Sequence, residues 1–334
     1  MKYICSLFLI LLVSCSSNEN AYKMATNFGY AQGTSYSIKY MTSNDKDYHH
    51  QIDSLFLVLD ASFSTYLPSS LISRLNEGDT TLALDNHFVN VFYASQEISA
   101  KTEGLFDCTV APLVNVWGFG TEAAADEVDT LKIIKIVEQI GYEKLSLKGD
   151  SLLSNPEGTT IDFNALAQGY TVDVIASFLE SKNVSDYLIE VGGEISVSGL
   201  NSREKKWIIG IDKPTKDIDQ SDRFQLKLNL TDKSLATSGN YRKFYEKNNQ
   251  IYSHTINPKT GFPVQHSLLS ATVIADDCMT ADAYATAFMV MGVEETQDFL
   301  ESDPTMEAFL IFTNEDRQWE TWSTEGFKSY TQKD

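Results

Sequence analysis

The sequence predicts an α+β fold, with mixed or antiparallel sheets packed by helices. Two observations lead there. Segments of strand period and of helix period are both plentiful, yet they do not alternate one for one, as a doubly wound parallel sheet requires. Stretches such as GTSYSIKY (33–40) and FQLKLNL (224–230) alternate in polarity, the pattern of a sheet with one face on a core. The 334 residues, 43% hydrophobic and 11% aromatic, suffice for a large core in one or two domains. No internal repeat, low-complexity tract or clear linker divides them.

At the N-terminus, Lys2 precedes an apolar run to Val13 that is too short to span a membrane and suits a secretory signal. The ending Leu12-Val13-Ser14-Cys15 resembles a bacterial lipobox. It implies a lipoprotein signal over 1–14, cleavage before Cys15 and lipidation of that cysteine. Residues 15–28 are then a polar tether and 29–330 the folded domain. The domain is expected in the bacterial cell envelope, on the outer, periplasmic side of the cytoplasmic membrane.

Within the domain, 33–40 is a strand. Ile52, Leu55, Phe56, Leu59 and Phe63 recur at helical spacing and mark 47–62 as an amphipathic helix. A second helix covers 86–102 and stops at Gly104. A third, DTLKIIKIVEQIGY (129–142), has Gly141 as its C′ residue. A fourth covers 164–183. Strands follow at YLIEV (187–191), WIIGI (207–211), FQLKLNL and SLLSATVIA (267–275), and a helix over TADAYATAFMVMG (280–292) ends at Gly292. The charged stretch 212–223 reads as a surface loop.

The formal net charge of −20 argues against a nucleic-acid binder, which needs a basic face. A phosphorylated substrate remains compatible, given a local metal or amide-lined site to offset the repulsion. Cys108 and Cys278 have no metal-ligand spacing and read as small buried residues.

Several motifs invite a functional reading. GFGTEA (118–123) has the glycine pattern of a dinucleotide fingerprint, but the acidic run after it would repel a pyrophosphate, and no strand leads into it. Asp282 and Thr286 stand four apart on a helix, so both face one way, and their oxygens suit a hard cation. Alone, the pair is a weak signal, since such pairs usually form a solvated helix face. IDFNALAQGYTVD (161–173) starts at a strand-like end and carries Gly169 inside a helix, at about 1 kcal/mol against alanine, for close packing or close ligand approach. Gly192-Gly193 reads as a hairpin turn. LATSGNY (235–241) reads as a hydroxyl-rich turn able to donate to a phosphate. HTINPKTGFP (254–263) turns at Asn257-Pro258 and at Gly261-Phe262-Pro263.

Taken together these blocks resemble the ApbE family of FAD:protein FMN transferases over roughly residues 30 to 325. The blocks in order are Gly33-Thr34 and its strand, FSTYLPSSLISRLN (63–76), GLFDCTVAPLVNVWGFG (104–120), IDFNALAQGYTVD, VGGEI, ATSGNY, HTINPKTG and ADAYATAFMVMG. The resemblance implies an ApbE-like fold and a reaction. FAD is cleaved at its pyrophosphate, FMN passes to a Thr or Ser hydroxyl of an acceptor protein, and AMP leaves, with Mg2+ as the metal. It implies Asp282, Thr286 and the backbone carbonyl of Ala167 as metal ligands. Tyr66, Phe106, Asp107, Asn164, Tyr170 and His254 would line the FAD site, with His254 also acting on the acceptor hydroxyl's proton. The expected partners are FAD, a membrane through the lipid anchor, and an acceptor in a membrane redox complex or a periplasmic flavoprotein, with no nucleic acid. A metal-dependent FAD pyrophosphatase and a non-catalytic flavin-binding lipoprotein fit the same scaffold. Three positions depart from the family pattern: Asn257 stands where Asp is usual, Gln32 where Met is common, and Gln168 where Lys is common.

Overall fold

The structure, a computed structural model, describes residues 22–43, 46–79, 81–120, 129–149, 151–154, 159–215, 223–240, 244–247, 250–253 and 255–332. It opens with a hairpin of β1 (Lys23–Ala31) and β2 (Thr34–Thr42), whose two turn residues, Gln32 and Gly33, have φ of 51° and 73°. That is the backbone a two-residue hairpin matching the strand twist demands. Helices α1 (His49–Phe63), α2 (Leu71–Asn76), α3 (Asn86–Lys101), α4 (Ala111–Val116) and α5 (Thr130–Gln139) follow, then the small ribbon β3 (Ser146–Lys148) and β4 (Ser151–Ser154). Helix α6 (Ala167–Ser181) leads to β5 (Tyr187–Val191), β6 (Glu194–Ser198), β7 (Trp207–Asp212), β8 (Phe224–Leu230) and β9 (Lys233–Gly239). The ribbon β10 (Phe244–Lys247) and β11 (Gln250–Ser253) precedes β12 (Leu268–Ala275), α7 (Cys278–Met291), α8 (Val293–Ser302), β13 (Glu307–Thr313) and β14 (Trp319–Ser323).

Eight strands form one sheet in the order β1-β2-β5-β6-β9-β12-β13-β14, and every pairing in it is antiparallel. Side-chain alternation divides its two faces. Ala236, Ala271, Val273, Ala308 and Leu310 join α3, α6 and α7 in the main core, while their neighbours Leu235, Ile274, Phe309 and Ile311 pack against the β7–β8 ribbon. A second helix-side core joins β2 and β5 to α1 and α6. Cys108 lies in the main core and Cys278 in the second, both as free thiols. Among the described residues no helix is long and apolar enough to cross a membrane.

The expected α+β class with antiparallel sheets is found. Four local expectations are corrected. Strand pairing begins at Lys23, so 23–28 is strand rather than tether, held to β2 along its whole length. LATSGNY is largely strand, because β9 pairs with β6 on one side and β12 on the other. The segment before Asp162 is not strand. Helix α5 ends with Ile140 extended and Gly141 at φ 142°, not in a left-handed cap.

Candidate active site

The site is organised where α6 meets α7. Gly169, in the first turn of α6, has no room for a side chain. A Cβ there would run into the carbonyl of Cys278 and lie 2.8 Å from Met279 Cα. Glycine thus lets the two helices approach backbone to backbone. N–H groups in the first turn of a helix lack an intrahelical acceptor; that of Gly169 donates to Asp282 Oδ2 at 3.1 Å. The Asp282 carboxylate is pinned at the start of α6, and the Ala165 carbonyl receives no backbone N–H among the described residues. Thr286 lies one turn further along α7, half-buried, with its hydroxyl 3.2 Å from Ser238 Oγ of β9. The carbonyl of Ala167, expected to complete the ligand set, is committed elsewhere: it accepts the Thr171 hydroxyl at 2.8 Å within α6. The Ala165 carbonyl, like that of Asn164, accepts no backbone N–H among the described residues and is open to a ligand. The Thr171 hydroxyl also accepts Gln32 Nε2 at 3.0 Å, which ties the β1–β2 turn to the helix.

Two carboxylates, Asp282 and Glu194, are buried behind this junction and a third, Asp173, is half-buried; among the described residues no lysine or arginine forms an ion pair with any of them. Asp173 accepts the N–H groups of Cys278 and Met279, each at 2.8 Å, and so caps α7 from the neighbouring helix. Burial nonetheless raises its pKa to about 7, with Asp277 adding to the rise. Asp282 has the single N–H of Gly169. Burial first, then the charge of Glu194, hold its carboxyl well above the usual range. Glu194 follows the Gly192-Gly193 turn, is only 8% exposed, and has an Oε2 without a hydrogen-bond partner. Burial raises its pKa too. Carboxylates buried this way need a cation or a proton. The donors at hand are oxygens, from Asp282, Thr286 and the Ala165 carbonyl, and they fit a hard ion such as Mg2+. No group of three or more His, Cys, Asp or Glu side chains among the described residues is arranged to hold a metal.

The turn after His254 is built as carefully as its composition suggests. Asn257 Oδ1 accepts the N–H groups of Lys259 at 2.9 Å and Thr260 at 3.2 Å, and its backbone closes the loop with Gly261 and Phe262. Gly261 has φ 77° and is pressed on α5, where a Cβ would lie 2.8 Å from Val137. Its carbonyl accepts Trp117 Nε1 at 2.8 Å. Ile256 completes a small core with Leu113, Trp117, Ile133 and Ile136. Thr255 donates to Asn240 Oδ1 at 2.8 Å, joining the turn to the end of β9. His254 itself, like Cys15, lies outside the described residues.

A model of the ApbE family matches residues 32–310. The chain belongs to the ApbE family. It is 33% identical to an FAD:protein FMN transferase of Vibrio cholerae over 332 residues, 97% of each chain, and 32% identical to one of Haemophilus influenzae over 96% of each. Among solved structures it superposes on the flavin transferase ApbE of Vibrio cholerae with a TM-score of 0.82 at 33% identity, covering 92% of this chain and 99% of that one. The apo flavinyl transferase ApbE of Pseudomonas stutzeri gives 0.80 at 28% identity, covering 93% and 98%.

The remaining expected site residues differ in exposure and in the partners they hold. Tyr66, on the loop between α1 and α2, is 74% exposed, so its ring is available to stack on a planar ligand. Phe106 is buried in the main core. Asp107 accepts the N–H and hydroxyl of Thr109, at 2.8 and 2.6 Å, and the N–H of Tyr142 at 3.0 Å. The side chains of both therefore shape their loop. Tyr170 packs its ring on Phe63 and turns its hydroxyl to α3, 3.0 Å from His87 Nδ1. Asn164 is exposed, and its N–H and side-chain amide donate to Asp162 at 2.7 and 3.2 Å. Asp162, Ser238 and Glu194 are the residues that local reading missed. The spacing of Asp162 and Asn164 is that of an Asx turn and could have been found; the other two are joined to the site only by strand pairing.

Proposed function

We propose that this chain transfers FMN from FAD to a Thr or Ser hydroxyl of an acceptor protein, with release of AMP and dependence on Mg2+. The observation that carries this is the buried Asp282, fixed by Gly169 N–H, with Thr286 one turn away and no cationic side chain paired to it among the described residues. The relatives named as FAD:protein FMN transferases support the substrate. Asp282, Thr286 and the Ala165 carbonyl would hold the ion. When bound, Mg2+ supplies charge neutralisation at the pyrophosphate. The chain's own residues bind and orient. Tyr66 offers a ring to FAD, and the 255–263 turn carries His254 in sequence to receive the acceptor proton. The acceptor oxygen forms a bond to the FMN phosphorus, the bridging P–O bond breaks, and AMP leaves with the bridging oxygen. Such a transfer depends mainly on positioning and charge stabilisation. We further propose lipidation at Cys15 and anchoring on the outer side of the cytoplasmic membrane. There the acceptor belongs to a membrane redox complex or is a periplasmic flavoprotein.

The test uses the chain from Ser16 onward with FAD, Mg2+ and a candidate acceptor domain, following acceptor mass, AMP and free FMN. An FMN adduct lost with chelator and with Asp282→Ala is the expected result. AMP and free FMN without adduct on any acceptor would make the chain a pyrophosphatase, and intact bound FAD would make it a flavin-binding protein.

A further inference from the structure

The three carboxylates behind α6 and α7 are not equally provided for. Asp173 holds two backbone N–H groups and Asp282 one. Glu194 is as buried as Asp282, at 8% against 6% exposed, yet its Oε2 has no partner. It does not face solvent, and it does not face a lysine or arginine among the described residues. Its place is defined by the double-glycine turn. A Cβ on Gly192 would stand 3.1 Å from Glu194 Oε2 and 3.0 Å from Gln168 Nε2, so glycine there leaves open the space between these two groups. Gln168 adjoins Gly169, whose N–H holds Asp282. The unpaired carboxylate oxygen thus shares its space with Gln168 in the first turn of α6, next to the Gly169 N–H that holds Asp282, and the charge of Glu194 is felt at Asp282.

We propose that Glu194 is the second carboxylate of the cation site, an assignment that rests on the cation reading above. Mg2+ is commonly held by one or two carboxylates and keeps its remaining positions for water and substrate phosphate. Two carboxylates would balance the charge of one divalent ion, and the ion would give Glu194 Oε2 the partner it lacks. The positive φ of both turn residues favours glycine, and at Gly192 a side chain would in addition fill the space that Glu194 and Gln168 share.

The experiment reads metal uptake and stability without flavin or turnover. Mn2+ is titrated into the chain from Ser16 onward and followed by electron paramagnetic resonance, with thermal unfolding recorded with and without Mn2+. Glu194→Gln keeps the shape and removes the charge. It is expected to raise the melting temperature of the metal-free protein, to weaken Mn2+ binding about tenfold or more, and to shrink the metal-induced rise in melting temperature. Glu194→Asp keeps the charge, and is expected to bind Mn2+ more tightly than Glu194→Gln. Unchanged Mn2+ binding in Glu194→Gln, alongside loss of binding in Asp282→Asn, would overturn this assignment and leave the cation site standing. Unchanged binding in both variants would overturn the cation reading itself, and Glu194 with it.

Discussion

Asn257 shows how much one side-chain oxygen can decide. Its Oδ1 gathers two backbone N–H groups and so fixes the turn after His254. A carboxylate would supply the same oxygen, so the departure from the family's usual Asp leaves the turn intact. Asn257→Asp is expected to shift stability by no more than about 0.5 kcal/mol. Asn257→Ala should lose about 1–2 kcal/mol, because it orphans two donors. Urea unfolding of the soluble chain compares the two. Asp282→Asn is expected to reduce FMN transfer by roughly 100-fold or more, as removal of a group that supports charge stabilisation does, with Mn2+ binding lost in parallel. That Asp282 and Thr286 share one face of a helix was legible from their spacing. The hydrogen bonds of Asp107 were not legible: only the fold shows that its oxygens accept from Thr109 and Tyr142.

Two close contacts between elements set the site, and each rests on a glycine. At Gly169, alanine would gain about 1 kcal/mol of helix propensity but force a Cβ into the backbone of α7. We expect Gly169→Ala to be destabilising on balance by about 1–3 kcal/mol, measured by urea unfolding. It should also weaken Mn2+ uptake, since the N–H to Asp282 moves with the helix. Sequence reading left packing and ligand approach as alternatives for this glycine; the structure shows packing that also positions a carboxylate. At Gly261 both the positive φ and the contact with α5 oppose a side chain. Helices α1 and α3 were legible from their apolar period, and α7, buried almost all round, from a long apolar run closed by Gly292. Strand β9 was not. Its Ser, Thr and Gly composition is that of a turn, and its strand state comes from pairing on both edges.

At the scale of the whole molecule, acidity and burial act in one direction on stability. Asp173 has its folded pKa raised to about 7, above the ~3.9 of an exposed aspartate. The folded state therefore holds a proton that the unfolded state has released. The stability from this group is full below about pH 4 and is lost as pH rises through 7. A net charge of −20 adds repulsion with the same sign. In chelator, the melting temperature is expected to be higher near pH 5.5 than near pH 8, and Asp173→Asn should narrow the difference; calorimetry at the two pH values checks this. The α+β class was legible from the failure of strands and helices to alternate. The strand order was not, since β9 and β12 become neighbours across the segment 240–267. The two core thiols have a bearing on how such a chain is made. Cys108 and Cys278 are held apart in different cores, and burial pushes the Cys108 thiol up to about 12. Neither is poised to attack a disulfide or to form one. The domain can thus reach the same fold in a reducing cytosol or an oxidising envelope, and its maturation depends on no thiol oxidase or disulfide isomerase.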